Sequence, residues 1–139
     1  MIDYINKFRL DNKITYVIGG NGLIGSKIVD AFLSSGSKII CLDKHDKRKI
    51  SNKSNYKFIK FDVSVPSNIE KKFLNILKKN GYPNIFINCS YPYTSDWTKN
   101  NFKEIKYNSY RKNIDLHLNT YAWFAKLTAD YMQKNKIKG

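Results

Sequence analysis

A glycine-rich turn between an apolar run and an amphipathic stretch constrains the fold of this chain more than any other feature. The run Ile14–Ile18 is β-branched, as strands are, and Gly19-Gly20-Asn21-Gly22 follows it. A helical stretch comes next, and its predicted apolar face consists of Leu23, Ile24, Ile28, Phe32 and Leu33. The order strand, glycine turn, helix indicates an α/β unit.

Three further apolar runs alternate with helical or polar stretches, which is the pattern of a parallel sheet covered by helices. Residues 38–43, 56–62 and 84–89 are predicted as the second, third and fourth strands. Gly36 ends the first helix, Pro66 opens a helix that runs to Gly81, and residues 44–55 form a polar loop with room for a short helix. We predict one domain over residues 1–139, a Rossmann-type doubly wound parallel sheet of strand order 3-2-1-4.

A long helix is predicted from about Phe102 to Lys134, beyond a polar and aromatic loop. It carries two apolar stripes. The first consists of Ile114, Leu118, Tyr121, Ala125 and Met132, and the second of Leu116, Trp123, Leu127 and Tyr131. A helix that is apolar on two sides needs two partners.

Composition limits the classes of protein that this chain can belong to. Its 139 residues allow one core, its longest apolar runs are too short to span a membrane, and its N-terminus lacks the pattern of a secretory signal. We expect a cytoplasmic protein without a membrane partner. Cys41 and Cys89 lie within apolar runs and without metal-ligand spacing, so both are predicted as core residues in a reducing compartment.

The formal net charge of +14 is typical of a nucleic-acid binder. However, only three of the 25 basic residues are arginine, namely Arg9, Arg48 and Arg111, and the lysines are scattered along the chain. Arginine is the residue that makes bidentate phosphate and base contacts. We therefore interpret the charge as solvated surface lysine and expect no nucleic-acid partner.

The glycine turn is also the main candidate for chemistry. The spacing Gly19-x-x-Gly22-x-x-Gly25 supplies a tight turn, close backbone approach to a pyrophosphate and close helix–strand packing. Asp43, at the predicted end of the second strand, is placed to accept hydrogen bonds from ribose hydroxyls and to repel a 2′-phosphate, which favours NAD over NADP. The neighbouring Lys44 argues against that preference. The alternative is a purely structural turn followed by an ordinary solvated acid.

Several segments together resemble a known family. Residues 8–25 read FRLDNKITYVIGGNGLIG, Phe61-Asp62-Val63-Ser64 ends the third strand, and Ile87-Asn88-Cys89-Ser90 ends the fourth. These segments resemble the short-chain dehydrogenase/reductase family over essentially the whole chain. Residues 91–97 (YPYTSDW) and 113–118 (NIDLHL) resemble, more narrowly, the subgroup encoded with flagellin-glycosylation and nonulosonate genes.

The resemblance implies a set of cofactor-binding residues. Asp62 and Val63 would contact adenine, and the segment from Asn88 to Ser90 would brace the nicotinamide ribose. The full set implied is Gly19, Asn21, Gly22, Leu23, Ile24, Gly25, Asp43, Asp62, Val63, Asn88, Cys89 and Ser90. The sequence departs from the family pattern at Ile18, Cys89 and Tyr91. His117 stands where the family has a catalytic Asn, with Asn113 and Asn119 nearby, and its role stays open.

No catalytic residue is assigned in this sequence. The family's Ser and Tyr-x-x-x-Lys would follow Gly139, and the match from Tyr56 to Lys60 falls in the third strand, so we interpret it as chance. The resemblance therefore predicts the NAD-binding portion of an oxidoreductase, truncated after the fourth strand and the long fifth helix. A small-molecule substrate, sugar-derived in this subgroup, would require the missing half, and the long helix resembles the one through which members of the family form homo-oligomers.

Two alternatives accompany that prediction. The chain is also consistent with a non-catalytic dinucleotide-binding or interaction protein, either degenerate or half of a split enzyme. Tyr91, Tyr93 and Trp97 follow the carboxyl end of the fourth strand, where ligands bind in open α/β sheets. These three rings are predicted either to line a substrate pocket or to pack against the long helix.

Overall fold

The computed structural model describes residues 6–47, 54–65 and 67–139. Within these ranges four strands form one parallel sheet in the order β3-β2-β1-β4. The elements are β1 (Ile14–Ile18), α1 (Leu23–Ser34), β2 (Lys38–Asp43), β3 (Tyr56–Lys60), α2 (Ile69–Asn80), β4 (Ile85–Asn88), α3 (Tyr107–Ile114) and α4 (Thr120–Lys134). A 3-10 turn (Asn6–Phe8) precedes β1, and a π-helical segment (Asp115–Asn119) joins α3 to α4. The predicted Rossmann-type α/β class and strand order are confirmed.

The two central strands β1 and β2 have their predicted bounds, whereas the two outer strands are shorter than predicted. β3 ends at Lys60 instead of Asp62, and β4 lacks one residue at each end. The backbone stays paired past these ends, because the N–H of Phe61 donates to Asp43 O (2.8 Å) and that of Cys89 donates to Ile18 O (2.8 Å). The residues that follow the strands are therefore held against the sheet edge.

Each face of the sheet has its own hydrophobic core, because successive strand residues point to opposite faces. On the first face, α2 and α4 cover the sheet, and the buried residues are Tyr16, Ile18, Ile40, Leu42, Phe61, Val63, Phe73, Leu77, Phe124 and Leu127. On the second face, α1 covers the sheet, and the buried residues are Val17, Val29, Ile39 and Cys41. Burial on both faces explains why β1 and β2 have continuous apolar runs.

The predicted apolar face of α1 is wrong at its first turn. Leu23 is 89% exposed and Ile24 is 68% exposed, whereas Gly25 and Val29 are the buried residues of this helix. The first turn therefore contributes little to the core, and the packing of α1 on the sheet begins at Gly25. The two exposed apolar side chains instead line a cavity described below.

The long helix differs from its prediction in start and in face. Its helical backbone begins at Tyr107, not Phe102, and the π-helical segment interrupts it. Phe124, which belongs to neither predicted stripe, is fully buried, and Leu127 of the second stripe belongs to the sheet core. A π-helical turn adds a residue, so one helical period cannot be continued from α3 into α4. Within α4, Phe124 lies between the two predicted stripes at about 100° per residue, so the stripes flank one buried face and are not two separate faces.

Some predictions fall on residues outside the described ranges. They include the predicted helix start at Pro66, the middle of the predicted loop at residues 44–55, and the first five residues. Among the helices of the described ranges, none has the length and apolar character needed to cross a membrane.

Candidate functional site

A cavity of about 600 Å³ opens at the carboxyl ends of the strands. Its lining comes from the turn after β1, the ends of β2 and β3, and the segment after β4. The lining residues are Ile18, Gly19, Gly22, Leu23, Ile24, Leu42, Asp43, Lys44, Lys47, Phe61, Val63, Cys89, Ser90, Tyr91, Pro92 and Tyr93. β1 pairs with β2 on one side and with β4 on the other, and the chain crosses over from β3 to β4, so the strand order reverses beside β1. The cavity therefore lies where open α/β sheets bind ligands.

At two positions of the glycine turn at this cavity, a side chain would clash with neighbouring backbone. Gly19 has φ of +75°, and a Cβ there would lie 2.6 Å from the backbone nitrogen of Ser90. A Cβ at Gly25 would overlap the carbonyl oxygen of Gly19. The start of α1 is therefore packed closely against the turn. The first N–H groups of a helix have no acceptor within the helix, so a helix start beside a cavity suits an anion.

The Asp43 carboxylate is fixed at the end of β2 by two backbone donors. Its Oδ2 accepts a hydrogen bond from the N–H of Asn21 (2.9 Å), and its Oδ1 accepts one from the N–H of Lys44 (2.7 Å). The side chain of Asn21 in turn donates to the carbonyl of His45. The acid and the glycine turn are thus connected directly, although 22 positions separate Asn21 from Asp43.

Asp62 lies beyond the end of β3 and is held by Ser64 and Lys44. Its Oδ1 accepts from the Ser64 N–H (2.8 Å) and hydroxyl (2.6 Å), and its Oδ2 lies 3.3 Å from Lys44 Nζ. Desolvation raises the pKa of Asp62, but these hydrogen bonds and the ion pair outweigh it and leave the pKa below its ordinary value. Val63 beside it is buried and lines the cavity.

The segment after β4 supplies the opposite wall of the cavity. Asn88 Oδ1 accepts hydrogen bonds from the N–H (3.0 Å) and hydroxyl (2.6 Å) of Ser90. Asn88 Nδ2 is buried without a hydrogen-bond partner in the described ranges. Cys89 is only half-buried and lines the cavity, so its prediction as a plain core residue is wrong. Burial raises the pKa of its thiol.

The aromatic residues after β4 were predicted either to line a ligand pocket or to pack against the long helix, and both roles occur. Tyr91 and Tyr93 line the cavity, with ring centroids 6.1 Å apart. Trp97 is not among the lining residues, and its Nε1 donates to the hydroxyl of Tyr91 (3.1 Å). His117, in the π-helical segment, stacks on Tyr91 at 4.6 Å. The long helix therefore supports the ring that lines the cavity.

Tyr121 is a supporting residue that the sequence reasoning placed only in an apolar stripe. Its hydroxyl donates to the carbonyl of Ser90 (2.6 Å), and its ring is parallel to that of His117 at 6.0 Å. The sequence held one signal of this contact. A tyrosine within an apolar stripe indicates a hydrogen bond from its hydroxyl, because a buried tyrosine hydroxyl usually finds a polar partner.

The asparagines near His117 have different surroundings. Asn113 is buried, and its side chain bonds the Thr94 N–H (3.1 Å), the Thr94 hydroxyl (2.7 Å) and the carbonyl of Ser109 (2.8 Å). Asn119 is exposed and donates to Asp115. Asn113 therefore anchors the loop that carries the aromatic residues, whereas Asn119 faces outward. Tyr56 and Lys60 lie in β3 and are not among the residues that line the cavity.

A sequence model described as short chain dehydrogenase matches residues 13–139. The chain belongs to the short-chain dehydrogenase family. No curated protein matches the chain closely enough to count as a relative.

Solved structures of dehydrogenases share this fold. A short chain dehydrogenase from Leptospira borgpetersenii with bound NAD+ has a TM-score of 0.78 at 21% identity, covering 97% of this chain and 51% of that one. A 4-hydroxyisoleucine dehydrogenase complexed with NADH gives 0.75 at 24% identity, with 92% and 52% covered. Thermoplasma acidophilum aldohexose dehydrogenase gives 0.70 at 26% identity, with 91% and 46% covered. The chain thus spans about half the length of these dehydrogenases.

Proposed function

We propose that this chain is the NAD-binding portion of a short-chain oxidoreductase, whose complete form transfers a hydride between NAD(H) and a hydroxyl or keto carbon. The observation that carries the proposal is the Asp43 carboxylate, fixed beside the glycine turn at the cavity. The family match and the nicotinamide dinucleotides in two similar structures support it.

The residues present fit a dinucleotide. A turn that excludes Cβ atoms at Gly19 and Gly25 suits a pyrophosphate in close contact with the backbone. Asp43 would bind the adenosine ribose, and the ends of β3 and β4 would bind the adenine and the nicotinamide ribose, respectively. Cys89 and Ser90 line the cavity on that second side. The nicotinamide, when bound, supplies the hydride acceptor or donor.

NAD is proposed over NADP because of the charges beside the ribose position. A 2′-phosphate would be repelled by the Asp43 carboxylate. Lys44, the neighbouring cation, lies 3.3 Å from Asp62 Oδ2 and donates to Ser64 Oγ at 3.3 Å. A lysine engaged in this way has part of its charge compensated, so it attracts a phosphate less strongly.

Calorimetric titration of the purified chain with NAD and NADP tests the proposal. We expect saturable NAD binding, weaker NADP binding, and a loss of NAD affinity of about tenfold or more in Asp43→Ala, because a ribose hydrogen bond to a charged group is worth about 1.5–3 kcal/mol. Asp130→Ala is the matched control, since it removes an exposed acid on α4 that pairs with Lys126. Absence of binding to either nucleotide would favour the alternative, a non-catalytic interaction protein.

Three finer points are also proposals. A sugar-derived substrate and a role near flagellin glycosylation are supported only by the resemblance of residues 91–97 and 113–118 to that subgroup. A cytoplasmic location is also proposed, and a homo-oligomer is supported by exposed apolar side chains along the long helix, namely Tyr107, Tyr110, Ile114, Leu118 and Trp123. Sedimentation of the purified chain tests the last, and a monodisperse monomer would contradict it.

A further inference from the structure

We propose that a second cavity, between α2 and the end of β3, binds a condensed phosphate anion such as a triphosphate chain. The cavity has a volume of about 250 Å³. Its polar lining consists of Lys60, Lys72, Lys79, Asn75 and Asn80. Phe61 is the one lining residue that it shares with the dinucleotide cavity, so the two cavities are distinct. The proposal does not depend on the proposed function.

The charged residues that line this second cavity are all lysines. They are far apart in the sequence, since Lys60 is the last residue of β3 whereas Lys72 and Lys79 lie on α2. Within the described ranges, none of the three forms an ion pair with a carboxylate. Their positive charges therefore repel one another, and an anion bound among them would remove that repulsion.

The stability of the fold explains two of these lysines but not the third. Lys79 lies in the last turn of α2, where the helix dipole favours a cation, and Lys60 is on an edge strand, where lysine discourages further strand pairing. Lys72 lies at the end of the first turn, where the same dipole disfavours a cation. Glu70, the acid of that turn, lines a different cavity and accepts a hydrogen bond from Trp123 (3.2 Å). An anionic ligand gives Lys72 the partner that α2 does not provide.

The spacing of the lysines favours an extended anion over a single phosphate ion. Lys72 and Lys79 lie on the same side of α2, about 10 Å apart along the helix axis. A condensed phosphate distributes its charges along a chain, so it can contact both lysines and Lys60 together. Lysine binds phosphate as a flexible point charge, and the lining holds no arginine to select a planar carboxylate.

Titration calorimetry of the purified chain with inorganic tripolyphosphate, in magnesium-free buffer of low ionic strength, tests the proposal. We expect saturable binding that weakens about fivefold in Lys72→Gln and in Lys79→Gln, because each variant loses one charge-assisted contact. Lys78→Gln is the matched control, since this exposed lysine is adjacent on α2 but is not among the lining residues. Orthophosphate should bind about tenfold more weakly than tripolyphosphate, because it reaches fewer of the lysines.

The same titrations can overturn the proposal in three ways. An equal loss in Lys78→Gln would show that the general charge of α2 attracts the anion. Displacement of tripolyphosphate by NAD would place it at the glycine turn instead. Absence of tripolyphosphate binding would leave the cavity without this role, whereas the proposed function is decided separately by NAD binding.

A titration with ATP distinguishes the two sources of such an anion. Equal affinity for ATP and tripolyphosphate, with the same loss in Lys72→Gln, would identify the phosphate chain of a nucleotide as a ligand. Weaker binding of ATP would identify free polyphosphate, because the cavity would then have no room for a nucleoside. Either result supports the proposal, and binding of ATP that Lys72→Gln leaves unchanged would contradict it.

Discussion

Asp43 Oδ2 accepts a hydrogen bond of 2.9 Å from the backbone N–H of Asn21, which ties the acid at the end of β2 to the glycine turn after β1. The acceptor atom is therefore positioned relative to the start of α1 before any ligand arrives. Preorganisation of this kind lowers the entropic cost of binding. The contact also joins the two sequence features that predicted the site, the glycine spacing and the acid at the end of the second strand.

Gly25→Ala should destabilise the fold and abolish dinucleotide binding. The new Cβ would overlap the carbonyl oxygen of Gly19, so α1 or the turn must shift, and overpacking of this kind costs about 3 kcal/mol. Gly22→Ala is the matched control, because its Cβ would lie 3.2 Å from the same oxygen. Urea unfolding measures both variants. Equal stability of the two would contradict the close packing described here.

Phe124→Ala should destabilise the chain far more than Trp123→Ala, although the two residues are adjacent. Phe124 is 1% exposed and its ring lies 5.0 Å from that of Phe73 and 5.6 Å from that of Phe61. Truncation of such a ring costs about 3–5 kcal/mol. Trp123 is 45% exposed, so its loss should cost about 1 kcal/mol or less. Similar melting temperatures for the two variants would show that α4 packs through another face.

Asn113→Ala should loosen the aromatic loop. The half-buried Thr94 N–H loses its side-chain acceptor, and an unsatisfied donor costs up to about 1–3 kcal/mol when buried. Hydrogen exchange at the Thr94 amide should accelerate at least tenfold, while amides of β1 stay protected. Asn119→Ala serves as the control, since Asn119 is exposed and bonds only Asp115 among the contacts described here. An unchanged exchange rate at the Thr94 amide would show that Asn113 does not anchor the aromatic loop.

Cys89 should react slowly with iodoacetamide near neutral pH. Burial raises its thiol pKa, so less thiolate is present at a given pH and the alkylation midpoint should lie above that of an ordinary cysteine. Because Cys89 lines the cavity, NAD should protect it further. Mass spectrometry of the modified peptide over a pH series measures both effects. A midpoint below that of a free thiol would contradict the assignment.

The central strands could be predicted because burial on both faces imposes a continuous apolar run. β1 and β2 have the predicted bounds, and Asp43 is the last residue of β2, as predicted. The outer strands were predicted too long, because Phe61 and Cys89 still bond the neighbouring strand although they lie beyond the regular strand pairing. Cys89 was predicted as a core residue because its apolar run does not show that β4 ends at the cavity.

The long helix could be predicted only in part, because the π-helical segment breaks its periodicity and because one buried face of α4 was interpreted as two stripes. At about 100° per residue Phe124 lies between the two stripes, and its ring fills the core between Phe61 and Phe73. The support that His117 and Tyr121 give to the loop after β4 depends on contacts between residues about 26 to 31 positions apart. Local spacing carries no information on such pairs.

The π-helical segment Asp115–Asn119 also determines how this region tolerates insertion and deletion. Removal of one residue would let the helix close into regular α-helical turns and would rotate α3 by about 100° relative to α4. Asn113 would then point away from Thr94, and the aromatic loop would lose its anchor. We therefore expect that this segment cannot lose a residue without damage to the aromatic loop, whereas its exposed residues, such as Leu118, can be substituted.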